Sequence, residues 1–132
     1  ALRRQRQMCI RDRFECVGKI AHINEKDIDI FTALIGSGPA YVFYLIESLL
    51  DSSKNLHLSE QEKKNLLASM ISGAANLVLN SDDSPNVLRK KVTSPGGVTQ
   101  TAIEEFEIEG LKEIISKSMI AAEKKSIELG ED

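Results

Sequence analysis

Val92-Thr93-Ser94-Pro95-Gly96-Gly97-Val98-Thr99-Gln100-Thr101 lies between two runs that read as helix. It places hydroxyls, a proline and a glycine pair immediately ahead of the second run. Pro95 has no amide proton and a fixed φ, while Gly96 and Gly97 reach backbone angles closed to other residues. Such a turn leaves N–H groups facing outward at a helix start, where the helix dipole is positive. A small carboxylate or phosphate fits there, with Thr99 or Thr101 lending a hydroxyl. The same residues also describe a capped helix–helix loop that binds nothing, and the motif alone favours that plainer reading.

Upstream, Gly36-Ser37-Gly38-Pro39-Ala40-Tyr41 repeats the logic. The glycines and serine end one helix, and Pro39 suits the first position of the next. That next helix is expected to run through Val42, Leu45, Ile46, Leu49 and Leu50 to Asn55. The loop reads equally well as a hinge or as a second wall of the site at Ser94. It is not a dinucleotide fingerprint, because it follows a helix, runs into Pro39 and lacks a third glycine at the required spacing. The helix before it is predicted to start at Asn24, supported by Asp27, and to carry Ile28, Phe31, Thr32 and Ile35 on one face.

Ser59 and Glu62 form a capping box ahead of Leu66, Leu67, Met70, Ile71, Ala74, Leu77 and Val78, which keep a helical period. Met70 reads as core filler, and Gly73-Ala74-Ala75 allows a second helix to cross closely. Ser84 caps and Pro85 opens a short helix. Its Arg89, Lys90 and Lys91 read mainly as a solvated face that adds positive potential near the opening stretch. Ala102, Ile103, Phe106 and Ile108 then share a face, with Glu104, Glu105, Glu107 and Glu109 on the wet side. Gly110 ends that run, and a last helix extends from Leu111 to Gly130.

The N-terminus is different. Residues 1–13 are basic and unpatterned, and Met8-Cys9-Ile10-Arg11-Asp12-Arg13 resembles a translated sequencing adapter, so they are expected to be extraneous or disordered. Phe14-Glu15-Cys16-Val17 reads as the tail of a helix stopped by Gly18. Lys19-Ile20-Ala21-His22-Ile23 alternates polar and apolar residues and is the only predicted strand. A lone strand needs a partner, so it points to another chain or to a domain whose remainder lies elsewhere. His22 and His57 read as plain surface or loop histidines.

The chain has 132 residues, 42% hydrophobic, with net charge −3. That size suits one modest all-α domain of about six helical segments from Asn24 onward. The acidic balance and low aromatic content argue against a nucleic-acid binder. No apolar stretch reads as long enough to span a bilayer, and two cysteines make neither a metal spacing nor a disulfide framework. No membrane partner, no metal and a cytoplasmic setting are therefore expected. The helices carry more apolar face than one small core needs, which a symmetric dimer would bury.

Thr32 to Phe43, Gly73-Ala74-Ala75, Leu88-Arg89 followed by Val92 to Thr99, and Glu128-Leu129 together resemble the C-terminal domain of pyrroline-5-carboxylate reductases. The resemblance covers Phe14 to Leu129. Val98 departs from it, standing where many members have Thr or Ala. It implies an all-α helical bundle dimerisation domain of the 6-phosphogluconate dehydrogenase C-terminal-like kind, occupying residues 25–132. Residues 14–24, with the strand, would be the remnant of an N-terminal Rossmann domain. The implied reaction is reduction of Δ1-pyrroline-5-carboxylate to L-proline with NADPH or NADH, the nucleotide being bound mainly by that N-terminal domain. The implied partners are a second copy of the chain, rings of such dimers, and the small substrate.

On that resemblance, the amides around Ser94, Gly96, Gly97 and Val98 hold the substrate carboxylate, and Thr99 Oγ lies by the ring nitrogen as the catalytic group. Val92 and Tyr41 form the pocket wall. The chain alone is expected to be inactive. Two other readings stay open: a non-catalytic oligomerisation module, and the helical domain of a related NAD-dependent hydroxy-acid dehydrogenase. The second would place a catalytic lysine in its first long helix, where this chain has only Lys54, near the end.

Overall fold

The computed structural model describes residues 1–15 and 18–131. In chain order it contains α1 (Leu2–Glu15), a 3₁₀ turn (Glu25–Asp27), α2 (Ile28–Phe31), a π-helical turn (Thr32–Gly36), α3 (Gly38–Asp51), α4 (Glu60–Asn80), α5 (Pro85–Lys91), α6 (Val98–Ile108) and α7 (Leu111–Gly130). The fold is all-α, and no strand occurs among the described residues.

Local chemistry sets most of the boundaries. At α4, Ser59 Oγ accepts from the Glu62 amide, while the Glu62 carboxylate accepts from the Ser59 amide at 2.9 Å and the Ser59 hydroxyl at 2.6 Å. These bonds satisfy donors that a helix start leaves without partners. The Ser59 hydroxyl, and then its amide, hold the Glu62 carboxyl below the usual carboxylate range. A lowered carboxylate pKa stabilises the fold above the ordinary value and ceases to do so as pH falls through the lowered one. Acidification should therefore speed amide exchange in the first turn of α4, and Glu62→Gln should flatten that pH dependence. At α5, Ser84 Oγ accepts from the Val87 amide and Pro85 occupies the first turn. Between α6 and α7, Gly110 takes φ 72°, the left-handed conformation that ends one helix and starts the next.

Four sequence expectations need correction. Residues 19–24 form no strand, because no described segment pairs with them in a ladder. Residues 1–13, expected to be extraneous or disordered, are helical from Leu2 onward as part of α1, which is exposed wherever its side chains are described. Arginine, glutamine, leucine and methionine are good helix formers, and Arg11 pairs with Glu15 one turn on at 2.6 Å. Of the expected helix tail at residues 14–17, Cys16 and Val17 lie outside the described residues. The helix after Pro39 stops at Asp51 rather than Asn55, where i→i+3 bonds from Ser53 to Leu50 and from Leu56 to Ser53 tighten the chain into turns.

The fourth correction concerns the membrane. Gly36-Ser37-Gly38 separates two helical segments as expected, with Ser37 between them and Pro39 in the first turn of α3, but the Ser37 amide reaches Thr32 C=O at 2.9 Å and keeps the two segments adjoining. Glu25–Asp51 is thereby one run of 27 residues, long and apolar enough by length and composition to cross a bilayer. Asn24, predicted to cap its start, donates its side-chain amide to the Asp27 carboxylate at 3.2 Å instead of accepting from a helix amide.

Within one chain the packed centre is small. The run at 28–36 lies on α7, fastened by Ser126 Oγ donating to Asp29 Oδ1 at 2.6 Å. Ala33, in the π turn, is the one buried hydrophobic residue among those described, and α3 packs on α4. Lys63 is the one buried charged residue among them, its ammonium donating to Glu60 at 2.9 Å. The apolar stripes read from the sequence are present but largely uncovered: Leu45 is 51% exposed, Met70 54%, Leu66 58% and Leu77 61%. The chain exposes 11,389 Å². A compact monomer of 14.6 kDa exposes about 6,900 Å². The excess is about 4,500 Å² on one chain, several times the roughly 800 Å² per partner that a standard interface buries.

Candidate functional site

The turn at Ser94 is built from main-chain hydrogen bonds. The Gly97 amide donates to Ser94 C=O at 3.0 Å, closing a four-residue turn with Pro95 second and Gly96 third. Gly96 sits at φ 70°, which a type II turn requires at that place. Gly96→Ala puts a Cβ into the left-handed region, so it should lower stability by about 1–2 kcal/mol, read from the midpoint of chemical unfolding. Gly97 has ordinary angles, φ −89° and ψ 176°, but a Cβ there would lie 3.1 Å from Ser94 O. One glycine is needed for its conformation, the other for its lack of bulk.

Two short tethers hold the turn from the α5 side. The Thr93 hydroxyl donates to Arg89 C=O at 2.6 Å, and the Val92 amide donates to the same carbonyl at 3.2 Å. Arg89 in turn reaches Glu107 of α6 at 3.8 Å and Asn86 at 3.1 Å. Lys91 pairs with Asp83. The positive potential expected from Arg89, Lys90 and Lys91 is thus largely compensated by neighbouring carboxylates.

The start of α6 differs from the starts of α4 and α5. Its N-cap is Gly97, which has no side chain to accept from the first turn. Among the described residues, the amides of Val98 and Thr99 have no acceptor. Val98 is 89% exposed, and Val92, Ser94 and Thr99 are exposed around it. Two of the amides expected to face a ligand are already engaged. The Gly97 amide closes the turn, and the Gly96 amide donates to Gln100 Oε1 at 2.6 Å. Thr101 is removed from the candidate list, since its hydroxyl donates to Gly97 C=O at 3.2 Å. Thr99 keeps a hydroxyl with no partner among the described residues.

Gln100 is the residue that sequence reading missed. Its signal was present: a glutamine three positions after an N-cap is capping-box spacing. Tyr41, expected in the pocket wall, donates its hydroxyl to Ala33 C=O at 2.8 Å and thereby braces the π turn. The Gly36–Tyr41 segment is thus engaged with the run before it, while the Ser94 turn is held between α5 and α6. A groove of about 420 Å³ is lined by Gln7, Ile10, Arg11, Lys19, Ile20 and His22 and shares no residue with the turn. No three His, Cys, Asp or Glu side chains converge as a metal set among the described residues. One chain therefore leaves the Val98 and Thr99 amides on an exposed surface that none of the described grooves encloses.

Comparison with known proteins matches residues 25–129 to the family described as pyrroline-5-carboxylate reductase dimerisation. The pyrroline-5-carboxylate reductase of Pseudomonas aeruginosa is 39% identical over 108 residues, covering 82% of this chain and 40% of that protein. The crystal structure of the Plasmodium falciparum pyrroline carboxylate reductase with NADP bound superposes with TM-score 0.83 at 38% identity, covering 91% of this chain and 48% of that one. The Coxiella burnetii pyrroline-5-carboxylate reductase superposes with TM-score 0.86 at 34% identity, covering 95% and 47%. The chain spans less than half the length of these relatives.

Proposed function

Because this chain belongs to the pyrroline-5-carboxylate reductase family through its dimerisation domain, we propose that it supplies the substrate-carboxylate loop and the dimer interface of an enzyme that reduces Δ1-pyrroline-5-carboxylate to L-proline. The observation that carries this reading is the start of α6. Gly97 leaves the Val98 and Thr99 amides unsealed at the positive end of the helix, immediately after the Ser-Pro-Gly-Gly turn.

A substrate carboxylate would act as the missing cap, accepting from Val98 and Thr99. This revises the wider set expected from sequence, in which Ser94, Gly96, Gly97 and Val98 shared the carboxylate. Ser94 stays on the rim, and Val92 forms a wall. The Thr99 hydroxyl donates to the ring nitrogen and draws electron density from the imine carbon; the nitrogen takes its proton ultimately from solvent. Reduced nicotinamide, as NADPH or NADH, supplies the hydride to that carbon. No glycine-rich phosphate loop occurs in these 132 residues. We assign the nucleotide to a dinucleotide-binding domain of the longer protein, with residues 14–24 leading out of that domain.

In the same reading, the apolar run Glu25–Asp51 is covered by the second copy of the domain rather than by lipid, and the enzyme works in the cytoplasm. The Asp29–Ser126 tie supports this, since it binds the run to α7 through a polar contact. The test is turnover by the full-length protein that carries this domain. Δ1-pyrroline-5-carboxylate with NADPH or NADH should yield L-proline with stoichiometric oxidation of the nucleotide. Absence of proline with both nucleotides rejects the reading.

A further inference from the structure

The α6 N-terminus carries half of a capping device, displaced by one residue. In a complete box, the N-cap side chain accepts from the third helical amide, and the third side chain accepts from the N-cap amide. At α4 both halves are present, through Ser59 and Glu62. At α6 the first half is absent, because Gly97 has no side chain. The second half comes from Gln100, which reaches past Gly97 and accepts from the Gly96 amide at 2.6 Å. Its other end is anchored one turn along, where Nε2 donates to Glu104 Oε1 at 2.6 Å.

The consequence is a division of labour among the amides. Gly96 is the residue at φ 70°, and its N–H is the one Gln100 holds. Fastening that peptide fixes the turn whose next residue, Gly97, leads into Val98 and Thr99. The first helical amides stay open while the bend behind them is closed. Glutamine does this without adding a formal charge beside an incoming anion. Glu104 carries the charge a full turn further along the helix.

We propose that Gln100 is a positioning residue of the carboxylate cradle: it locks the Gly96 peptide and so presets the Val98 and Thr99 amides, without touching the substrate. This rests on reading the Ser94 turn as the substrate-carboxylate site. Gln100→Met keeps length and helix propensity but removes the acceptor. In the full-length protein it should raise KM for Δ1-pyrroline-5-carboxylate about five- to tenfold, the worth of one neutral hydrogen bond. The kcat and the KM for the nucleotide should stay within about twofold, because neither the hydride path nor Thr99 changes.

Glu104→Leu, which keeps Gln100 but removes its anchor, should shift substrate KM in the same direction by a smaller factor. Glu104→Gln should restore it, since an amide oxygen still accepts from Nε2. A residue that merely supports the helix would lower the unfolding midpoint and depress kcat along with substrate and nucleotide affinity. That pattern, or an unchanged substrate KM in Gln100→Met, overturns the inference while parental turnover leaves the functional reading standing. Failure of the parent itself to form proline overturns both.

Discussion

Leu66→Glu combined with Leu77→Glu should leave the protein monomeric at concentrations where the parent sediments as a dimer. The two leucines are eleven residues apart, three helical turns within about 20°, so they share one stripe of α4. Both are more than half exposed in the single chain, and Met70 lies on the same stripe. On a chain that exposes 11,389 Å², this stripe is the expected seat of the second copy. A dimer interface closed over them would hold four glutamates, two from each copy. Burying an unpaired carboxylate costs several kcal/mol, so the dimer should weaken by at least about a thousandfold. The same residues are outside the small packed centre around Ala33, so the helical content of the separated chain should change little. Lys64→Ala, two residues from Leu66 and off the stripe, is the control and should leave the mass unchanged. An intact dimer in the double variant would show that α4 does not face the second copy.

Thr99→Val in the full-length protein should lower kcat/KM for Δ1-pyrroline-5-carboxylate by about a hundredfold to a thousandfold, mostly in kcat. Three threonine hydroxyls lie near the turn, and the structure separates them. Thr93 donates to Arg89 C=O and Thr101 donates to Gly97 C=O. Both are engaged with the backbone, which leaves Thr99 as the hydroxyl free to meet a ligand beside the open amides. Valine matches threonine in shape and keeps the backbone amide, so carboxylate binding should persist and substrate KM should change little. Thr99→Ser, which keeps the hydroxyl, should retain activity within about tenfold. A Thr99→Val enzyme with parental kcat/KM would remove the hydroxyl from the mechanism and leave the loop as a carboxylate site alone.

Much of the architecture is legible from local spacing. The Ser59–Glu62 box, the Ser84-Pro85 start and the Gly110 break each involve groups within four residues of one another, so their geometry is nearly independent of the rest of the chain. The Ser-Pro-Gly-Gly turn belongs with them, because Pro95 and Gly96 admit few other conformations. The strand expected at residues 19–23 fails for the complementary reason. Alternation states what a segment could do in a sheet, but a ladder also needs a neighbour. The helix end expected at Gly36-Ser37-Gly38 falls where local chemistry puts it, with Pro39 opening α3, but the π turn before it, with Ala33 buried and Tyr41 bracing it, depends on distant packing.

The site divides along the same line. The sequence by itself determined that a Pro-Gly-Gly turn stands immediately ahead of a helix, and that Thr99 stands beside that helix start. Only the tertiary structure decided which donors remain there, since Gly96, Gly97, Thr93 and Thr101 all turn out to be engaged. It also decided that the apolar stripes stay largely uncovered within one chain. Hydrogen bonds between near neighbours follow from residue order, because the chain holds both partners close in every compact conformation. What covers an apolar face does not, because hydrophobic attraction has no direction and takes whichever surface the assembled molecule brings to it.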